Sequence, residues 1–150
     1  DETVNELEHN LMLFSIGKSR NSSSIQKKSS KKKINISNFK KIKKISTDMK
    51  KCLLKGNIKQ FGDMLDLSWE LKKKISPYST NKKIDKIYKL VKKHGALGGK
   101  LLGAGQSGYL LVYSSPIYQE KIKKDLKKHG AIFENLRFVN SGLKIWTAER

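Results

Sequence analysis

The chain has 150 residues and a net charge of +20, with 33 Lys or Arg against 13 Asp or Glu. That length suits one ordinary domain with its own core. No apolar stretch approaches the roughly 20 residues a membrane-spanning helix needs. The single Cys52 has no internal disulfide partner, which argues against a disulfide-stapled scaffold and for a reducing, cytoplasmic setting. The charge favours nucleic acid or anionic membrane surfaces through counterion release and long-range attraction. However, only Arg20, Arg137 and Arg150 are arginines, and sites that read bases or grip phosphate bidentately favour arginine. The lysines are spread over several helices among Ile and Asn, the pattern of a solvated surface. The chain opens at Asp1 rather than Met, and is expected to be a piece of something longer.

Leu11-Met12-Leu13-Phe14-Ser15-Ile16 is short, apolar and closed by Gly17, which predicts a buried strand. A polar turn, Lys18 to Ser24, runs into a helix expected from about Ser23 to Lys31. A strand, a glycine, basic residues, hydroxyls and then a helix N-terminus make one candidate anion site. A hydroxyl-rich helix cap alone reads equally well. Ser29 to Lys33 has the composition of a helix end or loop. From a cap at Ser37 or Asn38, Phe39, Ile42, Ile45, Met49, Cys52 and Leu53 trace one helical face, stopped by Gly56. Cys52, at helical spacing from Met49 and Leu53, reads as a core thiol. A further helix starts near Asn57 with Ile58, Phe61, Leu65, Ser68, Leu71 and Ile75 facing inward, and Pro77 ends it. Asn81 starts the next, with Ile84, Ile87, Tyr88 and Val91 inward and Gly95 just past its end. Amphipathic helices on such short connections are expected to be antiparallel neighbours.

Residues 95–108 then hold six glycines and one lysine, Lys100. Glycine costs conformational entropy, so this density implies sharp turns or close approach of the backbone to a ligand. Bare N–H groups in such a loop form a positive nest for phosphate. Gly103, Gly105 and Gly108 spell G-x-G-x-x-G, but a dinucleotide fingerprint needs a strand before it and a helix after it. Here the order is reversed, with a helix before and the strand Tyr109–Tyr113 after. A Walker loop fails as well: Gly95 to Lys100 is one residue short, and Leu101 stands where Ser or Thr would bind magnesium.

Ser115-Pro116 marks a helix start. Tyr118, Ile122 and Leu126 form its apolar stripe, and Lys127, Lys128 and His129 suit the negative end of the helix dipole before Gly130 closes it. Ile132 to Val139 and Leu143 to Thr147 read as two strands of a hairpin joined at Asn140-Ser141-Gly142. The expected architecture is α+β, with four amphipathic helices packed on an antiparallel or mixed sheet.

Other constellations carry little chemistry. His9, His94 and His129 lack metal-ligand spacing with Cys52. His94 borders the glycine run, where the helix dipole accounts for it. Asp63 and Asp66 share a helix face and read as exposed surface, Trp69 and Trp146 read as core, and no elbow motif supports a Ser/His/Asp triad.

The block Lys100-Leu101-Leu102-Gly103-Ala104-Gly105-Gln106-Ser107-Gly108 resembles the third signature motif of the GHMP small-molecule kinases. Residues 95–113, the ending Gly142-Leu143-Lys144-Ile145-Trp146, Glu6-Leu7-Glu8, and Asn10 through Ser24 with Gly17-Lys18-Ser19-Arg20 are similar to that family's sugar-phosphate branch. Within it, the likeness points to kinases of D-glycero-D-manno-heptose 7-phosphate. The resemblance implies that residues 1–150 form the family's C-terminal, substrate-side domain with a ferredoxin-like core. The N-terminal domain, with its main phosphate loop and catalytic aspartate, lies outside this chain, so no catalytic residue and no activity of this part alone are expected. The implied reaction is direct phosphoryl transfer from ATP to a sugar hydroxyl, the anomeric one, with Mg2+ held mainly by that other domain. Positioning and charge neutralisation dominate such chemistry.

The resemblance makes Gly103, Ala104 and Gly105 a backbone wall beside the substrate and phosphate loop, with Gly108 a further candidate for binding substrate or phosphate. Ser19 and Arg20 become candidates to grip the substrate's own phosphate, because Arg does so bidentately. Lys100 adds positive charge. Gln106 and Ser107 replace two of the family's glycines, and their amide and hydroxyl are candidate donors to a substrate oxygen. The expected partners are sugar phosphate and ATP, with no membrane and with a homodimer compatible. The alternative is a basic α+β nucleic-acid-binding module, which would expose Tyr109 and Tyr113 on an open sheet face.

Overall fold

A computed structural model of the chain describes residues 2–17, 36–103, 107–143, 145 and 146. Helix α1 (Glu2–Asn10) leads into β1 (Leu11–Ile16). Then come α2 (Ile36–Leu54), α3 (Ile58–Ile75), a 3-10 turn at Pro77–Ser79 and α4 (Lys82–Lys93). β2 (Gly98–Leu101), β3 (Gly108–Tyr113), α5 (Pro116–Lys128) and β4 (Ile132–Glu134) complete the order. The strands lie in the order β2-β3-β1-β4 with every neighbour antiparallel. This is an α+β fold with the strand order of a ferredoxin-like core, to which further helices have been added between β1 and β2.

Local chemistry sets the helix starts. The Asn57 side chain accepts from the Gln60 N–H, and that of Asn81 from the Ile84 N–H at 3.0 Å, so each caps its helix where the sequence places the cap. Side chains alternate along the strands. Met12, Phe14, Ile16, Leu110, Val112 and Leu101 point to one face and are buried with Trp69, Ile84, Ile87, Val91, Ile122 and Leu126. On the other face Leu11 and Tyr113 are covered by Leu7, Ile58 and Leu65, with Met49, Leu53 and Phe61 packed around them. Farther along that face, Leu13, Ser15, Lys100 and Leu111 are only half-buried and Tyr109 is exposed. The sheet therefore has one sealed face and one half-open face.

Several expectations change. Helix α1 carried no apolar run long enough to announce it. Gly98 to Leu101 is a strand rather than loop: its two glycines allow helix α3 and the Tyr88 ring to press against the sheet, where any Cβ would collide. The C-terminal hairpin does not form among the described residues. β4 stops at Glu134 because the chain beyond it turns to α1, where Glu8 takes the Phe138 N–H at 2.7 Å and pairs with Arg137 at 2.7 Å. Residues 143, 145 and 146 belong to no strand, and Trp146 is 81% exposed rather than core. Trp69 is fully buried, and Cys52 is a buried thiol near Gln60 and Met64. Tyr118 lies against Gly95 and stays largely exposed, while Ile122 and Leu126 carry the buried stripe of α5. The helix expected from Ser23 to Lys31 lies outside the described residues.

Candidate functional site

The half-open face ends at the turn that joins β2 to β3. Gly103 (φ +74°) and Gly108 (φ +115°) flank this turn in backbone conformations that side chains rarely adopt. Nothing lies within 4 Å of where a Gly103 Cβ would be, so the space beside Gly103 is open. Lys100, on β2, faces this side opposite Leu111 and donates to Ser68 Oγ at 3.0 Å. Ser68 is a buried residue of α3, on the inward face its spacing predicts.

One turn farther along α3, Lys72 reaches the backbone that leads into the glycine turn. Its Nζ donates to the carbonyl oxygen of Gly103 at 2.7 Å and to that of Leu101 at 3.3 Å, and lies 5.9 Å from the centroid of the Trp69 ring. Burial holds the Lys72 ammonium below the usual lysine range, and the charge of Lys100 pushes it further down. Burial lowers Lys100 in the same way. Among the described residues neither ammonium has a carboxylate partner, whereas Lys73, Lys92, Lys123 and Lys128 each do. Sequence reading missed Lys72, because Lys72-Lys73-Lys74 looks like a solvated charge run. The one available signal was its four-residue spacing from Ser68.

A second cluster braces β2 from below. The Tyr88 hydroxyl donates to Asp66 Oδ1 and accepts from the Gly99 N–H at 3.1 Å. Burial, then the bonded Asp66 carboxylate, drives this phenol far above the usual tyrosine range. Lys92 Nζ pairs with Asp66 Oδ2 at 3.1 Å and also donates to the Leu97 carbonyl. Asp66 is thus a half-buried strut rather than exposed surface, while Asp63 is exposed as expected. His94 turns away from the glycine turn, and its Nε2 meets Asp125 Oδ2 at 2.7 Å.

The register also joins two motifs that are far apart in sequence. Ile16 pairs with Gly108, so β1 ends beside the glycine turn and Gly17 leaves the sheet there. Lys100, Gly103, Ser107 and Gly108 are therefore brought to the sheet end from which the Gly17-Lys18-Ser19-Arg20 segment departs. Ser19, Arg20, Ala104, Gly105 and Gln106 lie outside the described residues.

The donor set is cationic and suits an anion. Among the described residues no three His, Cys, Asp or Glu side chains come together for a metal. No described helix is long and apolar enough to cross a membrane. Tyr113 is only 4% exposed against 46% for Tyr109, so the aromatic pair that a nucleic-acid platform needs is not displayed.

Residues 49–132, which run from α2 to β4 and include the glycine turn, match the family described as GHMP kinases C terminal. The D-glycero-alpha-D-manno-heptose 7-phosphate kinase of Campylobacter jejuni is 31% identical over 105 residues, covering 70% of this chain and 31% of that protein. The bifunctional fucokinase/GDP-fucose pyrophosphorylase of Arabidopsis thaliana is 25% identical over 95 residues, or 63% of this chain and 9% of that protein. The chain thus spans a third or less of the curated relatives it matches. The crystal structure of the Methanococcus jannaschii mevalonate kinase superposes with a TM-score of 0.74 over 92% of this chain and 43% of that one, at 24% identity, which supports the fold.

Proposed function

Because the chain belongs to the GHMP kinases through their C-terminal domain, we propose that it is the substrate-side part of an ATP-dependent sugar-phosphate kinase. Residues 1–150 then form one domain, and an N-terminal domain carries the main ATP loop and Mg2+. The acceptor we propose is D-glycero-D-manno-heptose 7-phosphate, phosphorylated at its anomeric hydroxyl, in line with the sequence relative named for that substrate. The product class suits a precursor of surface polysaccharide, made in the cytoplasm.

The observation that carries this reading is the pairing of Ile16 with Gly108, which gathers the glycine turn and the start of the Gly17–Arg20 segment at one end of the half-open sheet face. In that arrangement Gly103, Ala104, Gly105 and Gly108 wall one side of the cleft. Gln106 and Ser107 offer donors to sugar oxygens. Ser19 and Arg20 take the phosphate already on the sugar, and Lys100 supplies positive charge. The domain acts by positioning: it holds the acceptor hydroxyl in line and excludes water, and no described side chain is needed as a nucleophile.

The test is ADP release by the full-length protein with magnesium-ATP and a panel of heptose 7-phosphate, galactose, fucose and mevalonate. Turnover that depends on heptose 7-phosphate supports the reading. Preference for a neutral sugar keeps the kinase and corrects the acceptor. No turnover with any of them, together with salt-sensitive RNA binding, returns the case to the basic nucleic-acid module.

A further inference from the structure

We propose that Lys72 and Lys100 together form a seat for a phosphate dianion at the open side of the glycine turn, with Lys72 both supplying charge and holding the turn in place. The two ammonium groups come from different elements, α3 and β2: Lys72 reaches the Leu101 and Gly103 carbonyls, and Lys100 reaches Ser68, one helical turn before Lys72. An ammonium has three N–H donors. Lys72 spends two on the Leu101 and Gly103 carbonyls, and Lys100 spends one on Ser68 Oγ, so three donors remain between them. Carbonyl and hydroxyl oxygens satisfy hydrogen bonds but do not neutralise charge. These two half-buried, like-charged groups lie near each other, and among the described residues no carboxylate stands against either.

Neighbouring like charges held half-buried are an arrangement that functional sites favour. A phosphate monoester dianion matches both the charge and the remaining donors. The left-handed Gly103, with empty space where a side chain would be, lets that anion reach the turn. Other lysine-rich parts of the molecule lack this combination. Lys73 is paired with Glu70, Lys92 with Asp66 and Lys128 with Asp125. The seat lies in the same cleft as the proposed kinase reaction and rests on that reading for the identity of its phosphate, though not for its affinity for the anion.

The first measurement is titration of the full-length protein with inorganic phosphate, against chloride at matched ionic strength, by calorimetry. Saturable phosphate binding is expected in the wild type, weakened about tenfold or more in Lys72→Met and in Lys100→Met, and retained within about threefold in Lys72→Arg. The two Met variants lie on different elements, so misfolding of one leaves the other to decide. Phosphate binding no stronger than chloride, or unchanged in both Met variants, overturns the seat.

Kinetics then identify the phosphate. A rise in KM for the sugar phosphate alone places the acceptor's own phosphate there, while a rise in KM for ATP or a fall in kcat places the transferring group there. Either result supports the seat, and unchanged kinetics in both variants count against it. Phosphate binding without turnover on any sugar ends the kinase reading and leaves the seat standing. Turnover with phosphate affinity untouched by either lysine does the reverse.

Discussion

Gly98 and Gly62 meet backbone to backbone: a Cβ on Gly98 would collide with the Gly62 carbonyl oxygen and stand 2.7 Å from the Asp66 nitrogen. Gly62 in turn lies so close to Tyr113 that its own Cβ would be 2.5 Å from that ring. Helix α3 therefore seats against β2 through two residues that have no side chains. This close approach brings Ser68 and Lys72 within reach of Lys100 and the glycine turn.

Gly98→Ala is accordingly expected to cost about 3 kcal/mol, because both obstacles are backbone and cannot rotate away. Gly142→Ala, with nothing within 4 Å, should stay within about 0.5 kcal/mol of wild type. Urea unfolding of the two variants checks this. Equal midpoints would mean that α3 and β2 are free to separate.

The same glycines show where the sequence was legible and where it was not. Periodicity and caps at Asn57 and Asn81 were enough to place α3 and α4, because those signals are local. The density of glycine from 95 to 108 correctly pointed to a special backbone, but two physical causes share one composition. Gly98 and Gly99 serve helix–sheet contact, while Gly103 and Gly108 serve the turn. Only the register separates them. Lys72 stayed hidden for a related reason: within Lys72-Lys73-Lys74 nothing local tells the residue that reaches the turn from its solvated neighbours. The expected C-terminal hairpin failed because the Phe138 N–H goes to the Glu8 carboxylate, a partner 130 residues away that strand periodicity does not reveal.

Tyr88→Phe removes a hydroxyl that both donates to Asp66 and accepts from the Gly99 N–H. A buried N–H is left without its partner, and Asp66 keeps only Lys92. The expected loss is about 1–2 kcal/mol of stability, read by chemical denaturation, together with faster hydrogen exchange at Gly99. An unchanged Gly99 exchange rate would show that the hydroxyl does not brace β2.

Arg20→Ala tests the residue placed on the substrate phosphate by resemblance. Loss of a charge-assisted, bidentate contact should raise KM for the sugar phosphate by roughly tenfold to a hundredfold, with KM for ATP nearly unchanged. Full-length protein and steady-state kinetics suffice. Unaltered sugar-phosphate kinetics would remove Arg20 from the site.

The anchoring of the chain beyond β4 should be sensitive to acid. The Phe138 N–H, and then Arg137, hold the Glu8 carboxyl below its ordinary value of 4.5. A lowered folded pKa means that the contact is fully present above 4.5 and is lost as pH falls through the lower folded value. The protection factor of the Phe138 amide should drop in that window, and Glu8→Gln should show no such transition. Constant protection down to the acid limit would show that the carboxylate is not what anchors this segment.

The lysine pair makes a prediction of the same sign at the alkaline end. Both folded pKa values lie below the ordinary 10.5, so between the folded values and 10.5 the unfolded chain binds more protons than the folded one. Stability from this source therefore rises with pH across that window, as the folded lysines shed charges that burial and mutual repulsion disfavour. The comparison is wild type against Lys72→Met/Lys100→Met in phosphate-free buffer, because the other lysines contribute equally to both. The wild type should gain stability relative to the double variant as pH climbs toward 10.5. Inorganic phosphate at neutral pH should produce part of the same gain by neutralising the pair, in proportion to its occupancy. A stability difference that is flat with pH, and that phosphate does not alter, would mean the two ammonium groups carry no uncompensated charge and the glycine turn has no anion to hold.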